Sequence, residues 1–152
     1  MEDKREQILQ RLADLLKGVA DANGGTFHRN VAQVQESELP AIQLFDGDEV
    51  ADETAASRGR PPTAPNIVTM TPEVFVTLAE DPEPIENVGT RVSRWRARVI
   101  KAVLSDEQLR KLCHNNDVRY DGCATALSRG REVTGESGIS FALPYVLRPA
   151  EL

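Results

Sequence analysis

The stretch Ile139-Ser140-Phe141-Ala142-Leu143-Pro144-Tyr145-Val146-Leu147 places Ile139, Phe141, Leu143, Tyr145 and Leu147 at alternate positions. A period of two puts these side chains on one side of an extended chain, so the segment reads as a strand with one buried face. Pro144 has no N–H to give a neighbouring strand, which predicts an edge or a bulge at that point. A strand with an apolar face needs a layer to cover it, and the other end of the chain supplies one. Over residues 3–22, Ile8, Leu12, Leu15, Leu16 and Val19 repeat with helical period, while Lys4, Arg5, Gln10, Arg11 and Asp14 occupy the opposite side. Asn23-Gly24-Gly25 offers the stop, because glycine adopts the left-handed C-cap conformation without a Cβ clash.

Between these two anchors the pattern alternates. Thr26 to Val34 reads as a polar strand held by Phe27, Val31 and Val34; Leu39 to Phe45 reads as a second strand, terminated by the turn chemistry of Asp46-Gly47-Asp48. Residues 48–65 are acidic at first, then rich in Ala, Ser, Arg and Pro, and carry almost no large apolar side chain. Such a stretch cannot bury enough surface to order itself, and it reads as a long flexible loop. Asn66 to Ala79 reads as a strand or a long bent one, broken by Asp81-Pro82-Glu83-Pro84. Gly89-Thr90 opens a second amphipathic helix over about 91–104, with Val92, Trp95, Val99, Ile100 and Val103 as its buried stripe. Ser105-Asp106-Glu107-Gln108 has the form of a capping box and starts a short third helix through Leu109 and Leu112. Val118 to Leu127 reads as a strand, and Ser128 to Gly138 as a turn-rich connection to the last one. The order α-β-β-loop-β-α-α-β-β predicts an α+β fold: a mixed or antiparallel sheet of about 4–5 strands with helices packed on one face.

The chain has 152 residues, enough for one core and the common size of one domain, so 1–152 reads as a single domain with the loop at 48–65 inside it. The first 47 residues could barely build a core alone, which argues against a domain boundary in that loop. No apolar stretch approaches the roughly 20 residues that span a bilayer. The mixed-charge start Met1-Glu2-Asp3-Lys4-Arg5-Glu6 lacks the pattern of a secretory signal. Both point to a protein made in the cytoplasm with no membrane partner. Its two cysteines, Cys113 and Cys123, are expected to be free thiols.

Catalytic patterns are scarce. Nucleophilic catalysis needs a base beside the nucleophile and a group to orient it; only His28 and His114 are available as bases, and no G-x-S-x-G elbow is present. Cys113, His114 and Cys123 do not have the spacing of structural zinc ligands. The glycines of Asn23-Gly24-Gly25-Thr26 and Thr134-Gly135-Glu136-Ser137-Gly138 match no nucleotide-binding fingerprint. The expectation is therefore a protein with no catalytic residues, no metal and no cofactor.

Charge distribution is more informative. The net charge of −6 argues against a general DNA-binding surface, since neutralising phosphates takes clustered Lys and Arg. Within this acidic chain Arg91, Arg94, Arg96, Arg98 and Lys101 make one local basic cluster on the second helix. Charged residues ordinarily cover exposed helix faces. The alternative is a subunit interface meeting an acidic patch, for which Asp46, Asp48, Glu49, Asp52 and Glu53 are the candidates. Opposite patches on one chain suit head-to-tail association.

In layout the chain resembles the tail terminator proteins of long-tailed phages, the lambda-like head–tail joining subunits, and related prophage minor tail proteins. The segments that carry the resemblance are the opening helix with Arg5-Glu6-Gln7-Ile8-Leu9-Gln10-Arg11-Leu12, the strand with Leu39-Pro40-Ala41-Ile42, the helix with Arg94-Trp95-Arg96-Ala97-Arg98-Val99-Ile100, and the ending Gly138 to Pro149. The resemblance implies a virion protein that assembles as a homo-oligomeric ring, a hexamer, on the finished tail tube. There it would stop tube polymerisation, present a surface to head-completion proteins, and let DNA pass through its lumen without specific binding. The loop at 48–65 is longer and richer in Pro and Arg than the simplest members of that family would have. Rival readings are another neck or tail-completion protein, a cytoplasmic protein-binding module of toxin–antitoxin type, and a small hydrolase or transferase.

Overall fold

The computed structural model describes residues 3–52, 59–79, 87–129 and 133–152, the side chains of 127–129 and 133–134 aside. Its centre is β3, Asn66–Ala79, in which Val68, Met70, Val74, Val76 and Leu78 are buried on one face while Glu73 on the other is exposed. The chain enters through α1 (Lys4–Ala22), β1 (Thr26–Arg29) and β2 (Ala41–Ala51); after β3 come α2 (Val88–Leu104), α3 (Glu107–Leu112), β4 (Arg119–Arg129) and β5 (Val133–Leu147). The strands form one sheet in the order β1-β2-β3-β5-β4. β1 runs parallel to β2 and every other pair is antiparallel, so the sheet is mixed and the fold is α+β, as the sequence predicts.

The helices lie on one side of the sheet. Ile8, Leu9, Leu12 and Leu16 of α1, and Val92, Trp95, Val99 and Val103 of α2, share a single core with Ile42, Leu44, the buried face of β3, and Ile139, Phe141, Leu143 and Tyr145 of β5. Each of these apolar side chains removed from water contributes roughly 1.5–3 kcal/mol before the entropy of ordering is charged against it. α1 and α2 run antiparallel: the Arg11 guanidinium in the first half of α1 holds Asp106, just past the end of α2, through contacts of 2.9 and 2.6 Å. At the other end of the pair Gly25 approaches Trp95 so closely that a Cβ there would lie 2.9 Å from the indole.

Several boundaries differ from the sequence reading. Thr26 to Val34 is a strand only as far as Arg29, where Asn30 turns the chain with φ +56°. The proposed terminator Asp46-Gly47-Asp48 does not end β2. Register slips by one residue between Phe45 and Asp48, so Asp46 and Gly47 form a bulge opposite Pro72, and β2 continues to Ala51. Pro72 cannot donate to a ladder, and the bulge absorbs the break. Residues 48–51 of the expected loop are thus paired strand, residues 59–65 form turns, and 53–58 lie outside the described residues. Likewise β5 starts at Val133, so most of the expected turn at 128–138 is sheet. The expected break Asp81-Pro82-Glu83-Pro84 also lies outside the described residues.

Two further details change role. α2 begins at Val88, capped by Asn87, whose side chain accepts the Thr90 N–H at 2.8 Å. Asp106, not Ser105, caps α3, accepting the Leu109 N–H at 2.8 Å. The Ser105 hydroxyl instead donates to the Lys101 carbonyl of the preceding helix. Pro144 lies in an interior strand, yet β4 begins opposite Ala142, so at Pro144 that flank of β5 is open as its missing N–H requires.

The bulge generates a stability prediction. Gly47 has φ +72°, and a Cβ there would strike the Thr71 carbonyl oxygen and sit 3.1 Å from the Pro72 Cα. Gly47→Ala is expected to lower unfolding free energy by about 2 kcal/mol or more. Gly18→Ala, on α1 where a Cβ meets nothing within 4 Å, is expected to raise it by about 0.5–1 kcal/mol. Urea midpoints of the two variants, moving in opposite directions at constant slope, check both.

Candidate functional site

The basic cluster of α2 divides when folded. Arg91, Arg94, Arg98 and Lys101 recur at helical spacing along one side of the helix, whereas Arg96 falls on the opposite flank beside β4. Arg91 sits at the end of β3 and donates from Nη1 to the Ala79 carbonyl at 2.9 Å. The Arg98 guanidinium lies 5.6 Å from the Trp95 ring centre, and Lys101 is exposed. Arg94 is exposed and also engaged in a contact. Arg96 donates to the Tyr120 hydroxyl at 2.9 Å and stacks 5.5 Å above that ring, joining α2 to the edge strand. Delocalised guanidinium charge suits these aromatic contacts in a way an ammonium would not.

The acidic candidates run from the middle of β3, where Asp48 pairs with Thr71, toward the end away from α2, where Ala51 pairs with Val68. At roughly 3.3 Å per strand residue, that end is about 35 Å from Ala79. Two of these acids are already committed within the chain. Arg29 clasps Asp46 with contacts of 2.9 and 3.0 Å and Glu6 with contacts of 2.9 and 3.0 Å. Glu49 accepts from the Tyr145 hydroxyl at 2.7 Å and lies 3.3 Å from Arg5, which in turn donates to the Gly47 carbonyl. Asp48 and Asp52 are exposed, and Glu53 lies outside the described residues.

This ionic cluster joins α1, β1, β2 and β5, and it was invisible in sequence because its partners are far apart in the chain. Arg29 hydrogen bonds hold the Asp46 and Glu6 carboxyls below their ordinary values, against the opposing effect of burial. Burial, then the Glu49 carboxylate, pushes the Tyr145 phenol up, so it remains a donor at any physiological pH. A period-two pattern predicts Tyr145 inward, as found; nothing in it shows that a carboxylate waits there.

Among the described residues His28 is not set in a catalytic triad. His28 Nε2 lies 3.0 Å from Thr26 Oγ1 and 3.8 Å from Glu38, so hydroxyl and carboxylate approach the same ring nitrogen, whereas a triad divides them between the two. The Thr26 hydroxyl donates to the Glu38 carbonyl at 2.7 Å. Among the described residues no group of His, Cys, Asp and Glu is arranged to hold a metal, and no helix is long and apolar enough to cross a membrane. The two cysteines are free and differ in setting. Burial pushes the Cys113 thiol up to about 12. At exposed Cys123 burial acts in the same direction, but hydrogen bonds from Ser137, Arg96 and Thr125 outweigh it and the thiol lies below its ordinary value.

No protein-family model matches the sequence, and no curated protein matches it. Among solved structures it is similar to the sheath/tube terminator of an extracellular contractile injection system (PVC), seen by cryo-EM in the extended state. The TM-score is 0.34 at 11% identity, over 88% of this chain and 54% of that one. This chain thus spans about half the length of that protein.

Two predictions follow from the local electrostatics. The folded-state pKa values of Asp46 and Glu6 are depressed, so their contribution is present above the ordinary carboxylate value near about 4 and is lost as pH falls through the lower folded values. Arg29→Met is therefore expected to cost about 1–2 kcal/mol at pH 7, mostly through half-buried Asp46, and far less near pH 2, measured by denaturant unfolding across that range. For the thiols, a maleimide at pH 7 is expected to label Cys123 within minutes and Cys113 only on unfolding. Arg96→Met should slow the first reaction several-fold, as peptide mass mapping would show.

Proposed function

We propose that this chain is a structural subunit of a phage or phage-like tail. In this reading it is a terminator-type protein that assembles head to tail into a ring on the finished tail tube. There it ends tube polymerisation and offers a joining surface to head-completion proteins. The observation that carries the reading is the polarity of the protomer: Arg91 stands at the Ala79 end of β3, and exposed Asp52, whose N–H donates to the Ile67 carbonyl, at its far end. Contacts between different patches of identical chains are heterologous, and they close into rings when the rotation between copies permits. A two-fold contact centred on either end alone would bring like charge to like.

The particular role comes from the resemblance in layout, from the opening Arg5 to Leu12 helix to the closing Gly138 to Pro149 strand, which also supplies the hexameric expectation. An acidic chain suits a conduit, since a wall of net negative charge repels DNA and lets it slide without capture.

Light-scattering mass of the purified chain, alone and after mixing with tail tubes, followed by electron microscopy of the tube ends, tests the proposal. The expected result is one ring on one end of each tube and no further growth. A chain that stays monomeric and leaves tube ends bare and growing would sink it.

A further inference from the structure

The sheet face away from the helices carries a second surface that neither the basic stripe nor the ionic cluster uses. Register places Gln43, Phe75, Gly138 and Ala124 side by side across β2, β3, β5 and β4. Phe75 lies over Gly138 so closely that a Cβ there would sit 2.9 Å from its ring, and Phe45 meets Phe75 edge-on at 5.6 Å. The result is a low shelf, aromatic on β2 and β3, with small residues on β4 and β5. Glu73 and Glu136 stand on it, both exposed, and neither has an ion-pair partner among the described residues. At its margins Val31 and Val50 are 42% and 69% exposed.

We propose that this shelf receives the α2 side of a second copy of the same chain, with Glu73 and Glu136 facing the stripe of Arg91, Arg98 and Lys101. The inference rests on the head-to-tail reading above and deepens it by naming the surface that receives the basic stripe. Charge chooses the occupant. The shelf is apolar with two carboxylates that meet no cation among the described residues, so its complement is apolar-stemmed and cationic. The α2 stripe offers long arginine and lysine stems on one side of a single helix, on the opposite side of the sheet. Asp46 and Glu49, the acids at the end of β2, are in contrast neutralised within the chain. Copies stacked this way continue the helix-on-sheet layering of the fold itself, each bare sheet face being covered by its neighbour's helix.

Charge reversal on the full-length chain tests the idea by multi-angle light scattering and native mass spectrometry, with and without tail tubes. Glu73→Lys with Glu136→Lys (both exposed positions), and separately Arg98→Glu with Lys101→Glu, are each expected to weaken self-association by roughly a hundredfold or more. Mixed in equal amounts, the two variants should regain rings in which they alternate, because each reversed shelf then meets a reversed helix. Circular dichroism and the urea midpoint establish that each variant is folded. As a second measurement on the wild type, carbodiimide coupling between isotopically distinct copies should join Glu73 or Glu136 of one to Lys101 of another.

If the shelf variant forms rings as the wild type does, the proposal is overturned while the ring reading stands. Rings that form but no longer seat on tubes would assign the shelf to the tube protein and overturn it equally. If the wild type stays monomeric with and without tubes, both readings fall together.

Discussion

Because β3 is hydrogen-bonded on both flanks and alternates on both faces, its fourteen residues decide where every other element can go. Its even-numbered face, from Val68 to Leu78, must be covered, and only the two long amphipathic helices have stripes wide enough to do it. Its odd-numbered face carries Glu73, Phe75 and Thr77 and is left to the solvent or to a partner. A proline in so central a strand would ordinarily be excluded. Pro72 is tolerated because β2 bulges opposite it, and the bulge is possible because position 47 is a glycine held at positive φ. The bulge also re-aims the strand: beyond it Glu49 points to the helix side and reaches Tyr145.

The same bulge explains why the charges near it are not a simple patch. Asp46 sits in the β2 bulge at the point where Arg29, from the neighbouring parallel strand, can take it bidentately while also taking Glu6 from α1. Partly desolvated pairs of this kind hold three elements in register, and breaking one partner leaves a charge with no compensation. Two acids that composition would assign to an outward surface thus contribute to the stability of the chain itself. The arginines of α2 are different, since Arg98 and Arg96 lean on aromatic rings and retain their charge at the surface.

The parts of this structure legible in the sequence are those governed by one period at a time. The alternation from Ile139 to Leu147, the 3.6-residue stripe of Ile8, Leu12 and Leu16, and the stripe of Val92, Trp95 and Val99 all reappear as buried faces. What could not be read depends on neighbours distant in the chain. Asp46-Gly47-Asp48 has the composition of a turn, and only pairing with 68–71 shows that the strand runs on through it. The Gly-rich segment 133–138 likewise becomes sheet because β3 and β4 bond it from both sides. Helix boundaries moved by a residue or two where Asp106 competed with Ser105 as cap, carboxylate being at least as good an acceptor as hydroxyl. For the candidate surfaces, the basic residues were visible as a run, but their division between two flanks of α2 was not. Phe75 and Glu73 were read as members of a strand without a face, though an aromatic at an off-core position is a signal that could have been used.

The signs of the charges on the bare face also constrain symmetry. An apolar sheet face is a liability in a monomer, and isolated carboxylates are one way proteins keep such a face from pairing with itself. Glu73 and Glu136 would do that here, because two identical shelves brought together would oppose four carboxylates. The penalty falls on isologous face-to-face contacts alone. A cationic surface from elsewhere on the chain meets no such barrier, and it gains the apolar contact of Phe45 and Phe75 as well. Discrimination of this kind combines an attraction for one geometry with a repulsion against its rival. Two-fold pairing through the shelf would saturate it in a dimer, whereas the heterologous contact leaves each copy with one surface to give and one to receive. That asymmetry is what a closed ring needs from its subunit.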